Sequence, residues 1–161
     1  MTKTGHRAVS EMIKPANIKL HLVSDNSETV LDELTCQIPE ILNQPAARKT
    51  LLHALLERER LHSTGIGDGI ALPHARNALV GLIDHPVIVF GRHATGIDYA
   101  AIDGIPARLF FLIVAPTVTD HLAILARLSR LLRQPNVRQN LLSAKTADEV
   151  IGLLSTAEAQ L

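Results

Sequence analysis

The chain has 161 residues, 47% of them hydrophobic, and its 16 basic and 16 acidic residues give a formal net charge of zero. This length suffices for one domain with an uncrosslinked core, so we predict a single domain over residues 1–161 with its core at about 9–157. The balanced charge argues against electrostatic capture of nucleic acid. Three Phe and one Tyr are too few for an aromatic nucleic-acid platform. The single Cys36 excludes an internal disulfide.

Hydrophobic patterning predicts secondary structure along the first half of the chain. Residues 17–23 alternate apolar with polar and predict a half-buried strand. A helix is expected to continue to residue 41, and its first residue is capped by Asp25, Ser27 or Thr29. A second helix follows over 45–61. The glycine-rich segment 63–77 favours an irregular path that is neither helix nor regular strand.

In the second half, residues 86–91 and 107–114 predict two strands, separated by turns at Gly96 and at Asp103-Gly104. The helical period then returns at 119–132, and two more helices fit 136–143 and 146–156. Because helices flank the strands on both sides in sequence, we predict a three-layer α/β/α domain. No segment has the apolar length of a membrane span or a signal peptide. We therefore expect a cytoplasmic protein without membrane insertion.

The glycine-rich segment is the first candidate for chemistry. Gly65, Gly67 and Gly69 expose backbone N–H groups that can surround an anion, because no Cβ intervenes. The alternative is a tight connection between a helix and a strand. The segment has neither the GK[ST] of a P-loop nor the G-x-G-x-x-G of dinucleotide sites.

Pro73-His74 ends this segment. A neutral histidine nitrogen is a competent nucleophile toward phosphorus and titrates near neutral pH, and Pro73 stiffens the backbone that carries it. The remaining histidines lack a supporting cluster, and His62 is interpreted as a flank of the glycine segment; the others, apart from His121, are His6, His21, His53, His85 and His93.

Arg58-Glu59 followed by STGIGDGIALPH over 63–74 resembles the active-site signature of the mannitol/fructose-type IIA proteins of the bacterial phosphotransferase system. The likeness extends from about Val9 through the C-terminal helices, and the layout is most similar to the nitrogen-regulatory branch. The resemblance implies a mixed β-sheet flanked by helices. It also implies that His74 accepts a phosphoryl group from an HPr-type phosphocarrier.

The resemblance further implies that His121 is a second active-site histidine and that Arg58 stabilises charge. By itself, His121 would be an ordinary histidine in the first turn of a helix capped by Thr119 or Asp120, and Arg58 a solvated charge paired with a neighbouring glutamate. Ser63 and Thr64 join the three glycines as expected phosphate-binding residues. No cofactor is expected. A metal site at His62, His74, His121 and Asp68 fits by ligand type, but no HxH or HExxH spacing supports it.

The surface around His74 is expected to bind partners through Ile66, Ile70, Leu72 and Arg76. We expect a regulated protein partner that prefers the unphosphorylated form, since phosphate adds negative charge to an apolar rim. Two alternatives stay open: a sugar-specific fructose/mannitol IIA subunit that passes phosphate to a separate IIB, and a non-catalytic interaction module of the same fold, which should lack the nucleophile.

Overall fold

The computed structural model describes residues 8–77 and 81–161. Two short 3-10 turns, Val9–Glu11 and Pro15–Asn17, begin this part of the chain. The helices are α1 (Ser27–Thr35), α2 (Pro39–Leu42), α3 (Pro45–Leu61), α4 (Val118–Leu132), α5 (Pro135–Ser143) and α6 (Ala147–Ala159). The strands are β1 (Ile18–Lys19), β2 (Gly65–Gly67), β3 (Ile70–Ala71), β4 (Val87–Ile97) and β5 (Ala107–Val114).

The described strands form one mixed sheet in the order β1-β4-β5-β3-β2. The long central pair β4–β5 is antiparallel, with Phe90 opposite Phe111. Strands β1 and β3 flank this pair in parallel, and β2 turns back antiparallel to β3 at the edge. The short outer strands therefore pair with the edges of a long central hairpin.

Strand β5 is apolar on both faces because both are covered by helices. Leu109, Phe111 and Ile113 pack in one core with residues of α4, α5 and α6. Phe110 and Leu112 alternate with them and pack in a second core with α1, α2 and α3. The predicted three-layer α/β/α sandwich with a mixed sheet is confirmed.

Several local predictions need correction. The strand expected over 17–23 is only β1, and the helix expected to reach residue 41 is split, because Pro39 cannot donate to the preceding turn and instead begins α2. Asn26, and none of the three predicted residues, caps α1 by accepting a hydrogen bond from the Thr29 backbone. The cap of α4 is Thr117.

The glycine-rich segment is also more regular than expected, since it forms the β2–β3 hairpin with a register shift at its glycines. Strand β4 runs on through Gly96 to Ile97, so Gly96 lies in a strand, with φ +102° and Pro106 packed against its Cα side. Within the described residues, no helix combines the length and apolarity needed to cross a membrane. The single-domain prediction stays a prediction, and its first seven residues lie outside the described ranges.

Candidate active site

His74 lies where the chain leaves β3. The segment continues beside β5, with His74 opposite Ile113, and the Ile113 N–H donates to the Pro73 carbonyl at 2.9 Å. The proline has no N–H to offer a further strand. This arrangement fixes the backbone on both sides of the imidazole against the central sheet.

A backbone carbonyl fixes the tautomer of His74. Its Nδ1 lies 2.7 Å from the carbonyl oxygen of Leu72. Because a carbonyl only accepts, Nδ1 must carry the hydrogen and donate it, which leaves the lone pair on Nε2. The ring therefore presents Nε2 as its nucleophilic atom.

His121 lies directly against this ring. Its N–H donates to the carbonyl of the α4 cap Thr117 at 3.1 Å, so it lies in the first turn as predicted. The ring centroids of His74 and His121 are 5.2 Å apart at an interplanar angle of 64°. His121 is only 9% exposed, so it is a packed member of the site and not the exposed residue that the isolated sequence pattern would suggest.

The electrostatics keep both rings neutral. Burial lowers the pKa of His74; the Leu72 carbonyl opposes this shift, and the positive charge of Arg58, together with that of His121 where it is protonated, adds to it. Burial also lowers the pKa of His121. A neutral His74 retains the Nε2 lone pair at neutral pH, and a neutral His121 still has one N–H to donate.

Arg58 lies in the last turn of α3, close enough to His74 to affect its pKa. One guanidinium nitrogen donates to the His62 carbonyl at 2.7 Å, and within residues 8–77 and 81–161 the other N–H groups have no hydrogen-bond partner, so they can bind an anion. The alternative reading, a pairing of Arg58 with a neighbouring glutamate, is absent among the described contacts, since Glu57 pairs with His53 and Glu59 with Thr64.

Ser63, Thr64 and Gly65 reach the histidine end of the hairpin, because the Thr64 carbonyl accepts from the Leu72 N–H at 3.0 Å. Four of their donors already have partners within the chain, namely the two hydroxyls and the N–H groups of Thr64 and Gly65. The Gly65 N–H donates to the Ser63 hydroxyl oxygen at 2.9 Å, and that hydroxyl donates to the Tyr99 carbonyl. Thr64 donates from both its N–H and its hydroxyl to the Glu59 carboxylate. The contact between Glu59 and Thr64 was not predicted, because no sequence pattern indicated it.

The structure does not bring Gly67 and Gly69 to the histidine pair. Both are buried at the far end of the hairpin, where Asp68 lies 4.0 Å from Arg138. Arg138 in turn donates to the last carbonyls of α4, at Leu132 and Arg133, about 17 Å along the helix from its His121 end. Only the Ser63–Gly65 part of the predicted anion cradle is near His74, and Asp68 cannot share a metal with the two histidines.

Two of the four residues predicted for the partner surface are buried, and two are exposed. Ile70 and Leu72 are each 2% exposed and belong to the core, because β3 and the residue that follows it are covered on both faces. Ile66 and Arg76 are exposed. Two exposed residues on the first turns of α4, Val118 and Leu122, were missed; they flank His121 and provide the apolar surface at this helix end.

Outside the site, His85 is held by two carboxylates. Its Nδ1 lies 2.6 Å from Asp84 and its Nε2 2.8 Å from Glu40. Hydrogen bonding to Asp84 raises the pKa of His85, with Glu40 adding to the effect. This histidine was predicted to lack a supporting cluster, and that prediction is wrong because Glu40 comes from a distant helix.

Known proteins similar to this chain cover almost all of it. A fructose-specific EIIABC component of Bacillus subtilis is 40% identical over 91% of this chain, which spans only 23% of that protein. A nitrogen regulatory protein of Bradyrhizobium diazoefficiens is 29% identical over 94% of this chain and 97% of its own length. The crystal structure of nitrogen regulatory protein IIA-Ntr from Neisseria meningitidis matches with a TM-score of 0.78 at 27% identity, covering 91% of this chain and 98% of that one. The model of the phosphoenolpyruvate-dependent sugar phosphotransferase system EIIA 2 family matches residues 11–157. The chain with this histidine pair therefore belongs to the EIIA type-2 family of the phosphotransferase system.

Proposed function

We propose that this chain accepts a phosphoryl group on Nε2 of His74 from an HPr-type phosphocarrier and passes it on or retains it as a signal. The observation that carries the proposal is the Leu72 carbonyl on Nδ1, which directs the lone pair to Nε2 beside His121. In the step, a phosphorus–nitrogen bond forms at Nε2 as the donor's bond to phosphorus breaks. The Nδ1 hydrogen stays on the ring, where the carbonyl stabilises the positive charge that develops.

The neighbouring groups act on the phosphoryl oxygens. His121 donates one hydrogen bond from a neutral ring, and Arg58 offers its unused N–H groups to the transferring group, whose charge spreads over its oxygens. The hydroxyls of Ser63 and Thr64 and the N–H groups of Thr64 and Gly65 are committed to internal contacts. Their proposed part is therefore to hold the hairpin, and direct phosphate binding there would require these bonds to exchange.

The test is phosphorylation with phosphoenolpyruvate, enzyme I and an HPr-type phosphocarrier. We expect one acid-labile, base-stable phosphoryl group on the wild-type chain and none on His74→Ala. The matched control is His62→Ala, which removes an exposed nearby imidazole but keeps the carbonyl that Arg58 uses, and it should label normally. Full labelling of His74→Ala would refute the assignment.

The supporting roles are tested by rate. His121→Ala should slow transfer roughly 10- to 100-fold without moving the label, the effect of losing a hydrogen bond to a charged group. Arg58→Lys should also slow it, because an ammonium group lacks the planar fork of the guanidinium. Phosphate recovered on His121 in the wild-type protein would reverse the two histidine roles.

We propose a mainly regulatory role, with a partner that binds the unphosphorylated form through exposed apolar residues, Val118 and Leu122 beside His121 and Ile66 in β2. The full-length likeness to a nitrogen regulatory protein supports this. A sugar-transport role is the second candidate, favoured by the higher identity to the fructose-specific component. His74→Glu should weaken the regulatory complex and His74→Ala should spare it. Equal recovery of every partner by both variants, with fast transfer to a fructose-type IIB, would favour transport.

A further inference from the structure

A cavity of about 450 Å³ opens beside the histidine site, between the last turns of α3 and the residues that follow His74. Its charged lining comprises three guanidinium groups, those of Arg58, Arg60 and Arg76, and one carboxylate, that of Glu57. The formal charge of this lining is thus three minus one, or +2. The apolar part of the wall includes Ala54 and Leu61.

Two of the three arginines have no polar partner among the described residues. Arg60 and Arg76 are exposed and make no hydrogen bond or ion pair with the residues at 8–77 and 81–161. Glu57 is occupied by His53, whose Nε2 lies 3.4 Å from its carboxylate. The positive charge of the cavity is therefore not neutralised by the described part of the chain.

We propose that this cavity binds a small organic dianion, such as a short dicarboxylate or a phosphate monoester. Guanidinium groups bind carboxylate and phosphate oxygens in a two-pronged fork, and two net positive charges match one dianion. The volume lies in the range of small-molecule sites. The apolar wall accommodates the methylene groups between the two acidic ends.

The position of Arg58 couples this ligand to the histidine. The same guanidinium lines the cavity and is close enough to His74 to lower the pKa of its ring. A dianion that engages Arg58 removes positive charge from the place where the phosphoryl group must arrive. Ligand binding and phosphorylation therefore oppose each other, a consequence that rests on the proposed function, whereas binding itself does not.

The binding test titrates glutarate and glycerol 3-phosphate into the ¹⁵N-labelled full chain, with acetate and neutral glutaramide as controls. We expect saturable shifts confined to residues around 58, 60 and 75–77, and weaker, non-saturating shifts from the controls. Arg60→Gln should weaken binding about tenfold, the loss of one charged hydrogen bond. The matched control Arg130→Gln, an exposed arginine on α4, should leave it unchanged.

Shifts spread over all arginines, equal weakening by both variants, or equal binding of glutaramide would overturn the site. Binding of an acidic peptide without binding of either dianion would also overturn it. Because the shift mapping uses the wild-type chain, it decides the question even if a variant fails to fold.

A kinetic arm separates this proposal from the previous one. Glutarate or glycerol 3-phosphate, whichever binds, should slow labelling of the wild-type chain at a concentration near its Kd, and should slow that of Arg60→Gln much less at the same concentration. Binding without inhibition would refute the coupling alone. If no His74 label appears in any sample, the proposed function fails, and the titration still decides whether the cavity binds a dianion.

Discussion

Glu59 holds the start of the glycine hairpin to the end of α3, and its removal gives a sharp test of that arrangement. Its carboxylate accepts hydrogen bonds from the N–H and the hydroxyl of Thr64, which is 4% exposed. Glu59→Ala leaves both donors buried without an acceptor, at a cost of about 1–3 kcal/mol each. Because Glu59 is itself half-buried, water entering the vacated space can satisfy one donor. One donor then remains unsatisfied, and we expect a loss of about 1–3 kcal/mol in the free energy of unfolding.

Urea unfolding followed by circular dichroism measures this loss through the midpoint at constant slope. The matched control is Glu57→Ala, which removes a carboxylate that is 61% exposed on the same helix and should change the free energy by no more than about 0.5 kcal/mol. Thr64→Val should cost about 1 kcal/mol, since only the hydroxyl bond is lost. In the double variant the two losses should be less than additive, because both remove the same contact. Equal midpoints for the two glutamate variants would refute the reasoning.

The same substitution, glycine to alanine, should have opposite effects at two positions. Gly91→Ala places a methyl group 2.7 Å from the leucine side chain that covers it, so we expect a loss of about 1–3 kcal/mol by overpacking. Gly152→Ala on α6 meets nothing within 4 Å and should stabilise the chain by up to about 1 kcal/mol; urea midpoints check both, and equal signs would contradict the packing argument. For pH, the raised pKa of His85 means that protonation favours the folded state. The stability advantage of the wild type over His85→Gln should therefore be full below about pH 6.5 and decline as the pH rises through the folded pKa, whereas a difference that grows with pH would exclude the carboxylate contacts as its cause.

The lowered pKa values of His74 and His121 act in the opposite direction. A group whose folded pKa is depressed contributes stability that is present above its unfolded pKa and is lost as the pH falls through the folded value. Below about pH 6.5 the wild type should lose this contribution, and His121→Phe should lose less than the wild type. Thermal unfolding between pH 8 and pH 5 measures the difference. An unchanged pH slope in His121→Phe would mean that the ring titrates normally when folded.

Much of the architecture follows from local patterns in the sequence. The apolar run 107–114 predicted a central strand, and the helical spacing of the leucines after residue 119 predicted an amphipathic helix. Both are regularities of neighbouring residues, which sequence records directly. The signature ending at His74 likewise indicated, from the sequence alone, that this histidine is the candidate nucleophile.

Other features exist only in three dimensions. Whether Ile70 and Leu72 form a rim or a core depends on which sheet position their strand occupies, and that is decided by pairing with β5, about forty residues later. The distance of Gly67 and Gly69 from His74 depends on the direction of the hairpin. By itself, the sequence determined the residue types of the candidate site, the histidine proposed as nucleophile and the layered class of the fold. Only the tertiary structure decided that Nε2 is the free nitrogen of His74, that His121 packs on it, and that Glu59 and not a phosphate holds Thr64, because each of these depends on atoms brought together by folding and not by spacing along the chain.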